Sequence, residues 1–170
     1  MSAAPIVRFA TAADVPRLAA LEAESFPDPW AEDSIAAEVE GPGTLVLAAV
    51  DTLASPPIAY AAYRALGGEA ELLRLAVATA ARRCGTARTL LAAGRRHLTG
   101  FGCQTCFLEV RSDNSAAIAL YESEGFHPVG RRADYYGPGT DAIVYAASVL
   151  PRPPAPGAGA ARRRPRPVGG

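Results

Sequence analysis

The sequence predicts an α/β fold, a mixed but mostly antiparallel central sheet of about seven strands with flanking helices. Three observations carry that expectation. Short apolar, β-branched runs alternate with stretches of helical period, in the order β-α-α-β-β-β-α-β-α-β-β. In the middle of the chain, residues 71–111 read strand–turn–helix–strand, which needs a crossover and therefore a locally parallel pair. The length of 170 residues suits one compact domain and is short for two. That domain is expected over residues 1–150, with a separate tail at 151–170.

The elements follow in order. IVRF at 6–9 is a short extended segment, and Asp14 then opens the helical stretch DVPRLAALEAES. Its stripe is set by Val15, Leu18 and Leu21, and Pro16 sits in the first turn, where a missing N–H is harmless. FPDPW at 26–30 interrupts, and a second helix over 31–40 ends at Gly41-Pro42-Gly43. TLVLAAV (44–50) and PIAYAAYRA (57–65) read as neighbouring antiparallel strands. A strand at 71–78, a basic turn at 79–87 and a helix at 88–98 come next, with Gly100 and Gly102 as its stop. QTCFLEVR (104–111) is a strand, and Asp113 or Asn114 caps a helix that Gly125 closes. FHPVGRR (126–132) and DAIVYAASVL (141–150) are the last strands, separated by ADYYGPGT.

Composition excludes several classes. No run approaches the roughly 18 apolar residues of a membrane span, and MSAAPIVRF has no basic region followed by an apolar stretch. The expectation is a cytoplasmic protein without a membrane partner, and nothing in the chain demands more than a monomer. Residues 1–150 carry 12 Arg against 17 acidic groups, and residues 151–170 carry five Arg and no acid. An acidic folded part argues against direct nucleic-acid binding, which needs a basic surface. The tail, PRPPAPGAGAARRRPRPVGG, has little to bury and is expected to be disordered.

Three cysteines cannot complete a disulfide framework. Cys103 and Cys106 have C-x-x-C spacing, but His97 and His127 supply no matching ligand spacing, so no metal is expected. Read as part of one strand, the two thiols would face opposite sides of the sheet and act as small apolar residues.

Two segments can carry chemistry. RRCGTA at 82–87 is a short basic, glycine-bearing loop between strand and helix, a natural anion site, although it has neither the P-loop nor the Rossmann spacing. The second is LEVRSDNSAAIALYESEGF at 108–126. Glu109, between Leu108 and Val110, must point away from the face on which they pack. Asn114, Ala117 and Tyr121 share one helical face. From the residues alone, Glu109 is as well a salt-bridged strand-end carboxylate as a catalytic one. Tyr121 is as well a core-edge aromatic.

Taken together, FPDPW (26–30), ELLRLAV (71–77), RRCGTA (82–87), LEVRSDN (108–114), AIALYESEGF (117–126) and RRADYYG (131–137) resemble the GCN5-related N-acetyltransferase superfamily. The likeness covers nearly all of residues 5–150 and is greatest for bacterial members that acetylate the N-terminal alanine of a ribosomal protein. LEVR-x-x-N followed by LY-x-x-x-GF is its strongest marker. The resemblance implies acetyl-CoA as co-substrate and the α-amino group of a protein N-terminus as acceptor. It implies that the strand at 71–77 bulges and splays from the strand at 104–110, with the pantetheine arm between them. Main-chain groups of Leu75, Ala76 and Val77 would pair with the arm, and the Val77 N–H would polarise the thioester carbonyl. Arg83, Cys84, Gly85, Thr86, Ala87 and Arg88 would wrap the pyrophosphate, and Asn114 would contact the cofactor.

Glu109 matches the family's general base and Tyr121 the acid that protonates the departing thiolate. Trp30 on one flank and Tyr135 and Tyr136 on the other match the peptide-binding positions; Tyr136 and Trp30 read equally well as closing the core. Glu69 and Glu71 would bring negative charge near the amine entry, in keeping with a cationic acceptor. Two departures stand out. Ala87 occupies the place of a second loop glycine and would crowd the pyrophosphate if it needed a positive φ. Ala78-Thr79 replaces an Asp-Pro pair. Cys84, in an anion-binding turn, is expected to be oxidisable. A small-molecule amine acetyltransferase and a non-catalytic CoA-binding protein are the alternatives.

Overall fold

The computed structural model describes residues 4–151; beyond Pro151 the expected disordered tail lies outside the described residues. Strands β1 (Ile6–Phe9), β2 (Thr44–Val50), β3 (Ala59–Leu66), β4 (Glu69–Val77), β5 (Thr105–Arg111), β6 (His127–Arg132) and β7 (Ala142–Ser148) form one sheet. Its order is β1-β2-β3-β4-β5-β7-β6. Every neighbouring pair is antiparallel except β4 and β5. The four helices are α1 (Val15–Ser25), α2 (Glu32–Glu40), α3 (Thr86–Gly100) and α4 (Ser115–Ser123).

Central position explains the composition of β2 and β3. β2 is buried after its first residue and β3 over Ala59–Tyr63, because helices cover both faces of the sheet there, and their Leu, Val and Ala content follows. On one face, α3 and α4 pack over a cluster that includes Leu47, Tyr63, Leu72, Leu90, Leu98 and Leu108. On the other, Leu18, Leu21 and Ile35 of α1 and α2 pack on Val46, Tyr60, Ala62 and Ala76. Gly94 lets α3 approach closely. A Cβ there would lie 2.8 Å from Tyr63 Cε2, nearer than real contacts come.

The first helix begins where the sequence places it, with Asp14 as its N-cap. Residues 12–14 form a 3-10 turn and α1 proper starts at Val15. Asp14 ties this corner together. Its carboxylate accepts from Arg8 Nη1 and Nη2 at 2.7 and 2.9 Å and from the Thr11 N–H at 2.8 Å. The Arg8 contact is the largest cause holding the Asp14 carboxyl down to about 2. A depressed carboxylate stabilises the fold above its unfolded pKa near 4 and loses that contribution as pH falls through about 2. Asp14→Asn is therefore expected to cost about 2 kcal/mol at pH 6, with the gap from wild type closing between about pH 5 and 2. Urea midpoints for the two proteins across that range measure it.

The site-forming irregularity is in β4. Tyr63 pairs with Leu72 and Ala62 with Arg74, so Leu73 is an extra residue, a β-bulge. Before it, Ala70 and Leu72 face the α3/α4 cluster; after it, Leu75 and Val77 do, while Ala76 joins the α1/α2 cluster. Parallel pairing with β5 ends at Leu72 with Leu108. Bulges bend and twist a strand, and from this point β4 and β5 diverge.

The helix α3 ends at Gly100, as expected, with Phe101 as its C-cap and Gly102 at φ 79°. One expectation is corrected here. Cys103 and Cys106 do not oppose each other across the sheet. Cys103 precedes β5, so strand alternation does not govern it, and both thiols are buried in the same cluster. Burial pushes the Cys106 thiol up to about 12, which makes it an apolar filler.

Candidate active site

The divergence of β4 from β5 opens a cleft of about 790 Å³, within the size range of small-molecule sites. Leu75 and Val77 form one wall; Ala81, Arg82, Arg83 and Gly85 of the loop and Thr86 to Arg88 of α3 form the end; Asn114 with Ala117, Leu120 and Tyr121 of α4 forms the other wall. ELLRLAV, RRCGTA, LEVRSDN and AIALYESEGF thus each contribute residues to one cavity, whereas RRADYYG contributes none.

Hydrogen-bond alternation shows what β4 offers to it. The Ala78 N–H donates to Ile58 O at 2.8 Å, so residues 78 and 76 direct their backbone toward β3. Residues 75 and 77 direct theirs toward the lost β5 partner. The Arg82 Nε donating to Val77 O at 3.0 Å fits that direction. Ala76 is therefore corrected. Its backbone faces β3 and its side chain is buried on the opposite face, which leaves the main-chain groups of Leu75 and the N–H of Val77 turned to the cleft. Arg82 lines the cleft as well, and the sequence reading passed over it although it opens RRCGTA.

At the end of the cleft, α3 presents its unpaired N-terminal N–H groups. The first internal bond reaches only Thr89, from Gly85 O, so those of Thr86, Ala87 and Arg88 are available to an anion. The positive φ values fall at Arg83 (63°) and Gly85 (83°). Ala87 is the second residue of α3, so the anticipated crowding has no basis: its methyl sits on ordinary helical backbone. Cys84 is exposed, with its thiol donating to Arg82 O at 3.4 Å. Arg88 is shared, because it approaches Glu124 at 3.5 Å and Ser123 Oγ at 3.2 Å.

Asn114 is the helix cap. Its Oδ1 accepts from the Ala117 N–H at 3.1 Å, which leaves the side-chain NH2 as the donor for a ligand. Tyr121 stands edge-on to Phe126 with centroids 5.8 Å apart. Burial raises its hydroxyl above the usual phenol value, so it holds its proton at neutral pH and can donate it.

Glu109 points away from the Leu108/Val110 core face, as its position requires. Its Oε1 lies 3.0 Å from Arg132 Nε. The Arg132 guanidinium is 5.4 Å from the Tyr135 ring, and Arg111 is 5.3 Å from the Tyr136 ring. The two tyrosines meet edge-on at 5.1 Å, in the loop between β6 and β7. Burial first, then the Glu109 charge, raises the Tyr136 hydroxyl. On the other flank, Arg74 lies 4.7 Å from the Trp30 ring and 4.6 Å from Phe26. Beneath it the fully buried Glu22 accepts from the Trp30 N–H at 2.9 Å and from the Tyr60 hydroxyl, and approaches Arg74 at 3.4 Å. Neither Arg132 nor Arg74 was singled out from the sequence.

Glu69 does not belong to this group. It pairs in register with Thr105, four residues before Glu109, roughly 13 Å along the strand. The splay opens at the C-terminal ends of β4 and β5, whereas Glu69 begins β4. Glu71, opposite Phe107, is on the paired side too. Among the described residues, no group of three or more His, Cys, Asp or Glu is placed to hold a metal.

A bulged, splayed strand beside a helix N-terminus is paired with a sequence match to the Acetyltransferase (GNAT) family over residues 14–126. The chain belongs to that family. Acetyl-CoA is the family's acetyl donor, and the cleft-facing backbone of Leu75 and the Val77 N–H, the α3 N-terminus and the loop arginines suit its amide arm and its phosphates. Among relatives, the ribosomal protein bS18-alanine N-acetyltransferase of Escherichia coli K12 is 36% identical over 128 residues, 75% of this chain and 84% of that one. The N-alpha-acetyltransferase RimI of Mycobacterium tuberculosis is 37% identical over 141 residues, 74% of this chain and 80% of that one. The uncharacterised ML0378 of Mycobacterium leprae is 38% identical over 144 residues, covering 79% of this chain but 38% of that longer one. The crystal structure of the E. coli ribosomal-protein-S18-alanine N-acetyltransferase superposes with a TM-score of 0.77 at 30% identity, covering 88% of this GNAT chain and 97% of that one.

Proposed function

We propose that this acetyltransferase acts on the α-amino group of a protein N-terminus, an N-terminal alanine of a small-subunit ribosomal protein being the acceptor. The observation that supports the reading is the exposed Tyr135–Tyr136 pair beside Glu109 and Arg132, with Trp30 and Arg74 taken as the opposite flank. Tyr135 and Tyr136 are 53% and 40% exposed, which suits an open groove for a chain end better than a closed metabolite pocket. The bS18-alanine specificity in the name of the E. coli relative supports the same acceptor. Such an acceptor places the enzyme in the cytoplasm, and none of the described helices is long and apolar enough to cross a membrane.

The chemistry is a transfer of acetyl from sulfur to nitrogen. An α-amino group has a pKa near 8, so only a modest push is needed to bare its lone pair. Glu109 takes that proton, directly or through one water. As the N–C bond forms at the thioester carbonyl, the Val77 N–H stabilises the oxygen's growing negative charge. The nitrogen then loses its second proton to solvent, the C–S bond breaks, and Tyr121 gives its proton to the leaving sulfur; solvent reprotonates Tyr121 and takes the proton held by Glu109. Leu75, Asn114, Arg83, Cys84, Gly85, Thr86, Ala87 and Arg88 hold the donor through main-chain and charged contacts.

The test is release of free thiol from acetyl-CoA with a short peptide beginning in alanine. An N-blocked copy and a lysine-bearing, N-blocked control run beside it. Thiol released only with the free N-terminus is the expected result. Equal release with the lysine control, or turnover of small amines alone, would overturn the reading.

A further inference from the structure

We propose that Arg132 is a placeholder for the acceptor's ammonium: it occupies Glu109 in the free enzyme and is displaced when the peptide N-terminus arrives. The inference rests on the reading of Glu109 as the proton acceptor. At neutral pH an α-amino group with a pKa near 8 is mostly an ammonium, so the acceptor reaches the site as a cation. Another cation is already there. Arg132 Nε lies 3.0 Å from Glu109 Oε1 as an ion pair, and among the described residues that carboxylate has no other ion-pair partner.

The geometry is that of an exchangeable partner. The contact is an ion pair and not the two-point hydrogen-bonded fork that locks arginine on a carboxylate, as Arg8 makes on Asp14. The Arg132 side chain is 58% exposed while Glu109 is 19% exposed, so the arginine leaves toward water and the carboxylate stays in the site. Arg132 ends β6, an edge strand exposed along its whole length, and its guanidinium also rests by the Tyr135 ring at 5.4 Å. That ring remains a resting place for the side chain once the ion pair opens. The neighbouring Arg131 is not a substitute, since it is paired with Asp141. Two cations on one carboxylate would repel, and the incoming ammonium therefore has to replace the first.

The experiment compares wild type, Arg132→Met and Arg132→Lys with an alanine-starting peptide. Methionine keeps length and apolar contact with Tyr135; lysine keeps the charge. Removing the internal competitor is expected to lower the peptide KM about two- to fivefold, the range that a largely exposed ion pair supports. kcat should stay within about twofold, and the lysine variant near wild type. The KM for acetyl-CoA and the affinity for the N-acetylated product peptide, which has no ammonium, should not move. An unchanged or raised peptide KM in Arg132→Met, or a fall in kcat alone, would overturn the inference and make Arg132 a substrate contact or a positioning residue. A wild type that does not acetylate the peptide would instead overturn the acceptor assignment beneath it.

Discussion

Glu109→Gln is expected to lower kcat/KM for an alanine-starting peptide by roughly 100- to 1000-fold. The KM for acetyl-CoA should be unaffected, because the donor cleft is built from β4, α3 and α4 and Glu109 does not line it. Glutamine preserves shape but cannot take a proton, so the variant waits for amine that is already neutral. The gap should therefore narrow as pH rises through about 8, the range in which the amine deprotonates in solution. Steady-state rates from pH 6.5 to 9.5 measure both parts. Tyr121→Phe should cost less, about tenfold, since a thiolate leaves tolerably without a donor. A Glu109→Gln variant with the same deficit at every pH would show that the carboxylate binds and does not take the proton.

The second large effect is on stability, at Glu22. This side chain is fully buried and takes the Tyr60 hydroxyl, the Trp30 N–H and the approach of Arg74. Burial raises the Tyr60 hydroxyl, and its bond to Glu22 raises it further, so the phenol is held as a donor. Glu22→Ala strips the partner from a buried hydroxyl, a backbone N–H and a partly buried guanidinium together. Removal of one member of a buried charged cluster costs about 3 to 5 kcal/mol. In urea that corresponds to a midpoint lower by roughly 1.5 M or more. Tyr60→Phe, which gives up only a hydrogen bond, should cost about 1 kcal/mol. Because Glu22 also anchors the loop carrying Trp30, the peptide KM should rise in whatever Glu22→Ala remains folded.

What the sequence made legible was local. The α4 start needs only Asn114 beside a helix former, and its end needs only Gly125 at φ 88°; both are written in neighbouring residues. Central strands declare themselves by unbroken apolar runs. The crossover between β4 and β5 follows from the order of elements, and the parallel pairing of that couple with it.

The parts that escaped depend on register. ELLRLAV carries no glycine or proline to mark Leu73 as a bulge, so which β4 residues turn their backbone to the cleft was hidden, and Ala76 was grouped with its neighbours. The extent of a helix is set by its cap, and Gly85 in the left-handed region starts α3 early enough to include Ala87. Glu69 was placed by charge alone, without the direction in which the sheet opens. Arg132 reaches Glu109 across β7, through a register that shifts between Pro128 and Gly130, and no local pattern encodes that meeting.

The most direct measurement is fragment-ion mass spectrometry of a peptide with a free N-terminal alanine and an internal lysine, after incubation with enzyme and acetyl-CoA. The account predicts a single acetyl group on the alanine α-nitrogen, and its near absence with Glu109→Gln at neutral pH. Acetyl on the lysine side chain, or no acetyl on a peptide whose enzyme nonetheless binds acetyl-CoA, would contradict it.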